Sequence, residues 1–188
     1  MATEGRLMHA AADVELRTLT ELLDLEGFEV VEAASDRAAK LRRLTVVPAA
    51  APAALCPDCG TATADRHACH DRAVADLPLG GWRTELLVRL WQFECGRCGR
   101  YFTPRHAALA AGAHATGRFL DRLAELATHA DVSAAARWLG VAEKTAERWY
   151  YDHLERRREE PAKDLAPVRS LGIDELSLKK GTGSSAAC

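Results

Sequence analysis

The sequence contains two similar cysteine motifs, Cys56-Pro57-Asp58-Cys59-Gly60 and Cys95-Gly96-Arg97-Cys98-Gly99. Each is a Cys-x-x-Cys-Gly turn: the two-residue spacing lets both sulfurs face one point, and the glycine lets the backbone fold back toward them. Two such turns supply four sulfurs, which is a closed tetrahedral shell for Zn²⁺. The sequence therefore predicts a structural zinc site whose ligands are Cys56, Cys59, Cys95 and Cys98.

Other uses of the cysteines fit the sequence less well. Disulfides are uncommon in a chain without an export signal, and neither turn opens a helix after a strand, as a thioredoxin-like site would require. His67, Cys69 and His70 could replace one ligand, but their spacing to Cys59 matches no regular knuckle. Cys188 has no nearby partner and is interpreted as an incidental thiol. A closed shell leaves no position for water, so we expect a structural site rather than a catalytic one.

The composition indicates several small packed units rather than one large core. Hydrophobic residues make up 48% of the 188 positions, but 36 positions are alanine, which buries little area. A structural zinc ion contributes roughly 10–16 kcal/mol of folding free energy and would offset such a thin core. No long apolar run and no secretory signal is present, which predicts a cytosolic protein without a membrane span. The net charge of −2 neither supports nor excludes DNA binding.

Around the cysteine pairs, hydrophobic periodicity predicts an α+β fold. It indicates a helix at residues 13–25, a strand pair at 28–32 and 41–47, and a half-buried strand from Trp82 to Phe93 between short strands and turns. The predicted segments are residues 1–52 (a helix and strand pair), 53–105 (a β-rich zinc ribbon), 114–158 (a helical segment) and 159–188 (a linker followed by strand character).

The stretch from Asp131 to Tyr150 has the pattern of a helix-turn-helix unit. Ser133 is a suitable N-cap, Gly140 supplies a left-handed turn residue, and Ala146 and Trp149 are expected to face inward on the second helix. Such a recognition helix places its first turns against base edges in the major groove. The outward positions predicted to contact DNA are Glu143, Lys144, Thr145, Glu147, Arg148 and Tyr151. The alternative is a plain helical hairpin whose inward residues are only core.

Taken in order, these motifs resemble the amino-terminal part of bacterial insertion-sequence transposases of the ISL-three type. The resemblance runs from about residue 20 to residue 181 and is most specific in its last stretch. The matching residues are Cys56-Pro57-Asp58-Cys59-Gly60, Asp76-Leu77-Pro78, Cys95-Gly96-Arg97-Cys98 with Phe102, Gly140-Val141 with Trp149, and the run from Gly172 to Gly181.

The resemblance implies an RNase H-like catalytic domain whose first strand carries the first acid of a DDE triad, and Asp174 matches that acid. Two metal ions must be held by several carboxylates, so Mg²⁺ is implied only for a full-length relative. After Gly181 the chain is short and polar and the other two acids are absent. We therefore expect a truncated first strand, poor order at residues 164–188 and no catalytic activity from this chain alone.

The function implied by the resemblance is DNA transposition, in which this chain would bind the terminal inverted repeats of an insertion sequence. Its partner would be double-stranded DNA in the cytoplasm, at the nucleoid, and a homo-oligomer is compatible with that role. One alternative is a stand-alone transcriptional regulator built from the zinc ribbon and the helix-turn-helix. A second alternative is a zinc-stabilised interaction module with no DNA role.

Overall fold

A computed structural model describes residues 15–49 and 54–159 of the chain. The strands are β1 (Phe28–Asp36), β2 (Leu41–Pro48), β3 (Ala54–Leu55), β4 (Ala62–Thr63), β5 (Arg66–Leu79), β6 (Trp82–Glu94) and β7 (Tyr101–Phe102). The helices are α1 (residues 15–23), α2 (Gly117–His129), α3 (Val132–Leu139) and α4 (Glu143–Glu159). This content confirms the α+β prediction. Among the residues described, no helix is both long and apolar enough to cross a membrane.

The main sheet has the strand order β1-β2-β6-β5, and β7 adds to β6. The antiparallel pairing of β1 with β2 confirms the predicted strand pair. β2 then pairs in parallel with β6, in a register that runs from Leu41 opposite Arg83 to Val46 opposite Val88. Strands from the predicted segments 1–52 and 53–105 therefore share one sheet. The predicted segment boundary at residue 52 does not coincide with a break between sheets.

A long antiparallel hairpin of β5 and β6 forms the centre of the molecule. The strands contain 14 and 13 residues. A two-residue turn joins them, in which Gly80 and Gly81 have φ values of +63° and +77°. Positive φ at both positions is the requirement of the hairpin turn that matches strand twist, and two glycines adopt it without strain. The prediction of short strands was wrong for β5, because this turn pairs it along nearly its whole length with β6.

Within the described ranges, the buried side chains form three separate clusters, as the alanine-rich composition predicts. The first packs α1 against the sheet and contains Leu23, Leu25, Phe28, Val30, Leu44, Val46, Val74, Leu86, Val88 and Leu90. The second lies among α2, α3 and α4 and contains Phe119, Leu120, Leu123, Leu139 and Trp149 together with five alanines. The third surrounds the cysteine turns. Alanine adds little buried area to the second cluster, but its small side chain lets the helices approach closely.

A buried carboxylate joins the sheet to the helices. Asp76 on β5 is 1% exposed, and its Oδ1 accepts hydrogen bonds from the Thr116 hydroxyl at 2.7 Å and from Arg118 Nε at 2.9 Å. Arg118 Nη1 also donates to the carbonyl oxygens of Leu23, at 2.7 Å, and Asp24, at 2.8 Å. The hydrogen bond and negative charge of Asp76 raise the pKa of Arg118. This one ion pair therefore connects β5, the start of α2 and the end of α1.

We expect Asp76→Asn to lower the free energy of unfolding by about 3 kcal/mol, because it leaves the partly buried Arg118 guanidinium without its counter-charge. Urea unfolding of the zinc-loaded protein, followed by circular dichroism, measures the change. The matched control is Asp71→Asn, which removes a carboxylate from an exposed ion pair with Arg89 and should cost less than about 1 kcal/mol. Equal losses in the two variants would contradict the connecting role of Asp76.

Candidate metal centre and nucleic-acid interface

The two Cys-x-x-Cys-Gly turns have the same backbone geometry. The N–H of Gly60 donates to the carbonyl of Cys56 at 2.9 Å, and the N–H of Gly99 donates to the carbonyl of Cys95 at 2.8 Å. Both glycines have a φ of +69°, in the left-handed region that a side chain would make costly. The repeated motif in the sequence thus produces two equivalent turns, each with its sulfurs on one side.

Short hairpins bring the two turns together. β3 pairs with β4 around the first turn, and β6 pairs with β7 around the second. The Thr63 hydroxyl donates to the carbonyl of Glu94 at 2.8 Å, which joins the two hairpins. An exposed ion pair between Arg100 Nη1 and Asp58 Oδ2, at 2.8 Å, also spans the two turns. The pairing of residues far apart in sequence therefore places all four cysteines at one point.

The four sulfurs match the donor set of a tetrahedral zinc site. The Sγ atoms of Cys56, Cys59, Cys95 and Cys98 all lie within 4.8 Å of one another. Cys59 Sγ is 3.5 Å from Cys95 Sγ, and Cys56 Sγ is 3.6 Å from Cys98 Sγ. Zinc–sulfur bonds of about 2.3 Å in a tetrahedron require sulfurs about 3.8 Å apart, so an ion needs only a small adjustment. Bound there, zinc would supply a cross-link between the two turns.

The four thiols do not ionise independently of one another. The Thr61 hydroxyl, 3.3 Å from Cys59 Sγ, is the largest influence that lowers the pKa of Cys59 to about 6. The backbone N–H of Arg100 lowers the pKa of Cys98, but the neighbouring Cys95 thiol, loss of solvent and the other two cysteines together raise it to about 12. Without a metal ion, contacts among the sulfurs and loss of solvent therefore oppose ionisation of Cys98, whereas Cys59 ionises readily. A divalent cation removes this conflict because it stabilises all four thiolates together.

The other candidate ligands lie outside this cluster. Cys69 is exposed on β5, and the ring of His67 packs against Tyr101 with 4.4 Å between ring centroids. Among the residues described, the cluster of side chains that could hold a metal ion contains only the four cysteines of the two turns. Cys188 lies outside the described residues.

The stretch predicted as a helix-turn-helix forms two helices, α3 and α4, joined by a tight turn. Gly140 ends α3 with a φ of +70°, and its N–H donates to the carbonyls of Ala136 and Arg137. The N-cap of α3 is Asp131, whose carboxylate accepts from the N–H of Ala134 at 2.6 Å, so the prediction of Ser133 was wrong. Ser133 lies within the first turn of α3 instead, and its hydroxyl donates to Glu143 at the start of α4.

One face of α4 is packed and the opposite face is open. Ala146 and Trp149 are buried as predicted, and the Trp149 ring meets Phe119 edge-on with 5.9 Å between centroids. Of the six positions predicted to face outward, Thr145 is half-buried and the others are exposed: Glu143, Lys144, Glu147, Arg148 and Tyr151. Their assignment as DNA contacts stays a prediction. Asp174, the predicted first catalytic acid, lies outside the described residues.

We expect metal analysis to return one zinc ion per chain and Cys56→Ser to abolish its retention, because the buried Cys56 sulfur would be replaced by a poorer donor. Hydrogen exchange at the Gly60 and Gly99 amides should accelerate in that variant, while the β5–β6 pairing near Val74 stays protected. Cys69→Ser is the matched control and should retain zinc. A zinc-free chain with unchanged protection at both glycines would contradict the prediction.

Parts of this chain are similar to known insertion-sequence transposases. Residues 52–98 match the family described as the zinc-finger of transposase IS204/IS1001/IS1096/IS1165. The transposase for insertion sequence element IS1001 from Bordetella parapertussis is 31% identical over 130 residues, which is 68% of this chain and 31% of the relative. The chain thus spans about a third of that relative's length. No solved structure matches the chain.

These matches confirm the prediction of structural zinc, because the family is a zinc-binding one and the four cysteines it contains converge on one point. The matched stretches also confirm the resemblance, drawn from the sequence motifs, of this chain to insertion-sequence transposases of the ISL-three type.

Proposed function

We propose that the described residues are the DNA-recognition part of a transposase and bind the terminal inverted repeats of an insertion sequence. The observation that carries the proposal is the packing of α4, which buries one face of the helix and exposes the other. Its inner face, with Ala146 and Trp149, is buried against α2 and α3, while Lys144 and Arg148 are exposed on the outer side. A helix held in this way presents a rigid polar surface of the kind that enters the major groove.

The chemistry of the outer side of α4 suits base contacts. Lys144 and Arg148 are four residues apart, so they lie on one face about one helical turn from each other. Arginine and lysine donate to the O6 and N7 acceptors of guanine, and the Thr145 hydroxyl can donate or accept at a base edge. Glu143 and Glu147 are acceptors that suit the amino group of cytosine. In this proposal α4 distinguishes sequences, while attraction to phosphates comes from elsewhere.

The zinc ribbon has a supporting role in the proposal. We assign Cys56, Cys59, Cys95 and Cys98 as the ligands of the zinc ion, which fixes one end of the β5–β6 hairpin. The other end of the same hairpin carries Asp76, which binds the start of α2 through Thr116 and Arg118. A stable hairpin therefore supports the helical part as a unit. Asp174 as the first acid of a DDE triad with Mg²⁺ remains a proposal that follows from the resemblance alone.

We expect the double variant Lys144→Ala with Arg148→Ala to lose discrimination between DNA carrying the element's terminal inverted repeats and a scrambled duplex. Each good base contact is worth about 1–3 kcal/mol, so the preference should fall by roughly tenfold or more. Fluorescence anisotropy with both duplexes at several salt concentrations measures it. The control is Arg89→Ala with Arg122→Ala, which removes two ion-paired arginines outside α4 and should keep the preference.

Three outcomes would reject parts of the proposal. Equal, salt-sensitive binding of the unmodified protein to both duplexes would remove sequence recognition. Binding to a promoter in a genome without inverted repeats beside the gene would favour the transcriptional regulator. No binding to any duplex would leave a zinc-stabilised interaction module.

A further inference from the structure

A basic surface lies beside the turn that leads into α4. Lys40 in the β1–β2 turn, Arg83 at the start of β6 and Arg137 near the end of α3 come together around an open cavity of about 310 Å³. The other lining residues are Ala39, Pro78, Gly81, Trp138, Leu139 and Gly140. No acidic residue lines this cavity. We call Lys40, Arg83, Arg137 and the adjoining ring of Trp138 the turn-side surface.

The three cations of the turn-side surface have no counter-charge in the described part of the chain. None of them is within 4.0 Å of a carboxylate there, whereas Arg43, Arg89 and Arg100 each pair with an acid. Two acids are close in sequence, and both have other partners: Asp36, four positions before Lys40, accepts from the N–H of Ala39, and Glu85, two positions after Arg83, pairs with Arg43 Nε at 2.7 Å. All three cations are exposed, and Trp138 is 69% exposed. Three neighbouring positive charges without carboxylate partners favour the binding of an anionic ligand.

The fold holds these cations next to α4. The aliphatic stem of Arg83 lies against the turn: a Cβ placed on Gly140 would be 3.3–3.4 Å from Arg83 Cβ, Cγ and Cδ. The backbone N–H of Arg83 donates to the carbonyl of Lys40 at 3.1 Å, which fixes the β1–β2 turn to the same place. Gly140 precedes Glu143, the first residue of α4, by three positions. A duplex that meets the first turns of α4 is therefore within reach of the turn-side surface.

α4 alone supplies little net positive charge to attract a duplex. Its exposed first turns carry Glu143 and Glu147 against Lys144 and Arg148, so their formal charges cancel. Phosphates neutralised by lysine and arginine supply nearly all of the free energy of non-specific binding to a duplex and a large share of that of specific binding. A neutral recognition helix can select bases but attracts the polyanion weakly.

We propose that Lys40, Arg83 and Arg137 bind the phosphates of the duplex whose bases α4 contacts, with the exposed Trp138 ring against the sugar. This inference rests on the proposed function. It assigns affinity and sequence selection to different surfaces: the turn-side surface neutralises phosphates without regard to sequence, and α4 discriminates among base pairs. The sheet therefore takes part in DNA binding directly as well as supporting the helices.

The test is the triple variant Lys40→Gln, Arg83→Gln, Arg137→Gln in the full, zinc-loaded chain. Glutamine keeps the Cβ, Cγ and Cδ atoms that pack on Gly140 while it removes the charge. The matched control is Arg89→Gln, Arg100→Gln, Arg122→Gln, which changes the net charge equally at ion-paired positions. Zinc content and circular dichroism establish that both variants are folded.

We expect the triple variant to bind inverted-repeat and scrambled duplexes at least about tenfold more weakly, by the same factor on each. Its slope of log affinity against log salt should become shallower by about two to three, since three phosphate contacts are lost. Affinity and slope equal to those of the control would overturn the phosphate surface while leaving the proposed function intact. Loss of sequence preference with an unchanged slope would also overturn it. A parent protein that binds no duplex would overturn both proposals.

Discussion

The carboxylate of Asp76 holds the molecule together where three parts of the chain meet. It is buried on β5 and accepts from Thr116 and Arg118, while Arg118 reaches the carbonyls at the end of α1. Thr116 is also the N-cap of α2, so the same hydroxyl donates to Asp76 and accepts from the N–H of Phe119. A buried charge must keep its partners, and this requirement fixes the direction in which α2 leaves the sheet.

The β5–β6 hairpin connects the region around Asp76 with the metal centre. Its turn, at Gly80 and Gly81, adjoins the helices and the turn-side surface, and its other end continues into Cys95 of the metal centre. The hydrophobic clusters along it are small, and the helical one contains five alanines. A cross-link by zinc and a buried ion pair are therefore reasonable means of stabilising a chain that buries modest apolar area at any single place.

Much of the fold could be predicted because local patterns of hydrophobic residues indicate which segments form strands and helices and which faces are buried. Alternation in β6 predicted a half-buried strand, and Leu86, Val88 and Leu90 are buried. Helical spacing predicted that Ala146 and Trp149 face inward, and they do. The N-cap of α3 was misassigned because Asp131 and Ser133 are both good caps, and only the position where the backbone turns decides between them. The length of β5 was missed although Gly80-Gly81 is a strong hairpin signal.

The sequence alone specified the four sulfur donors, since two thiols spaced as Cys-x-x-Cys-Gly converge within each turn through local backbone geometry, whereas long-range contacts bring the two turns together. It likewise determined the tight turn at Gly140, where a left-handed φ favours glycine. Long-range packing, in contrast, is required for β2 to join β6 in parallel, for Asp76 to pair with Arg118, and for Lys40, Arg83 and Arg137 to share a surface. These contacts join residues about 40 or more positions apart. They form only when the whole chain packs, because local periodicity in the sequence does not indicate which distant residues will be in contact.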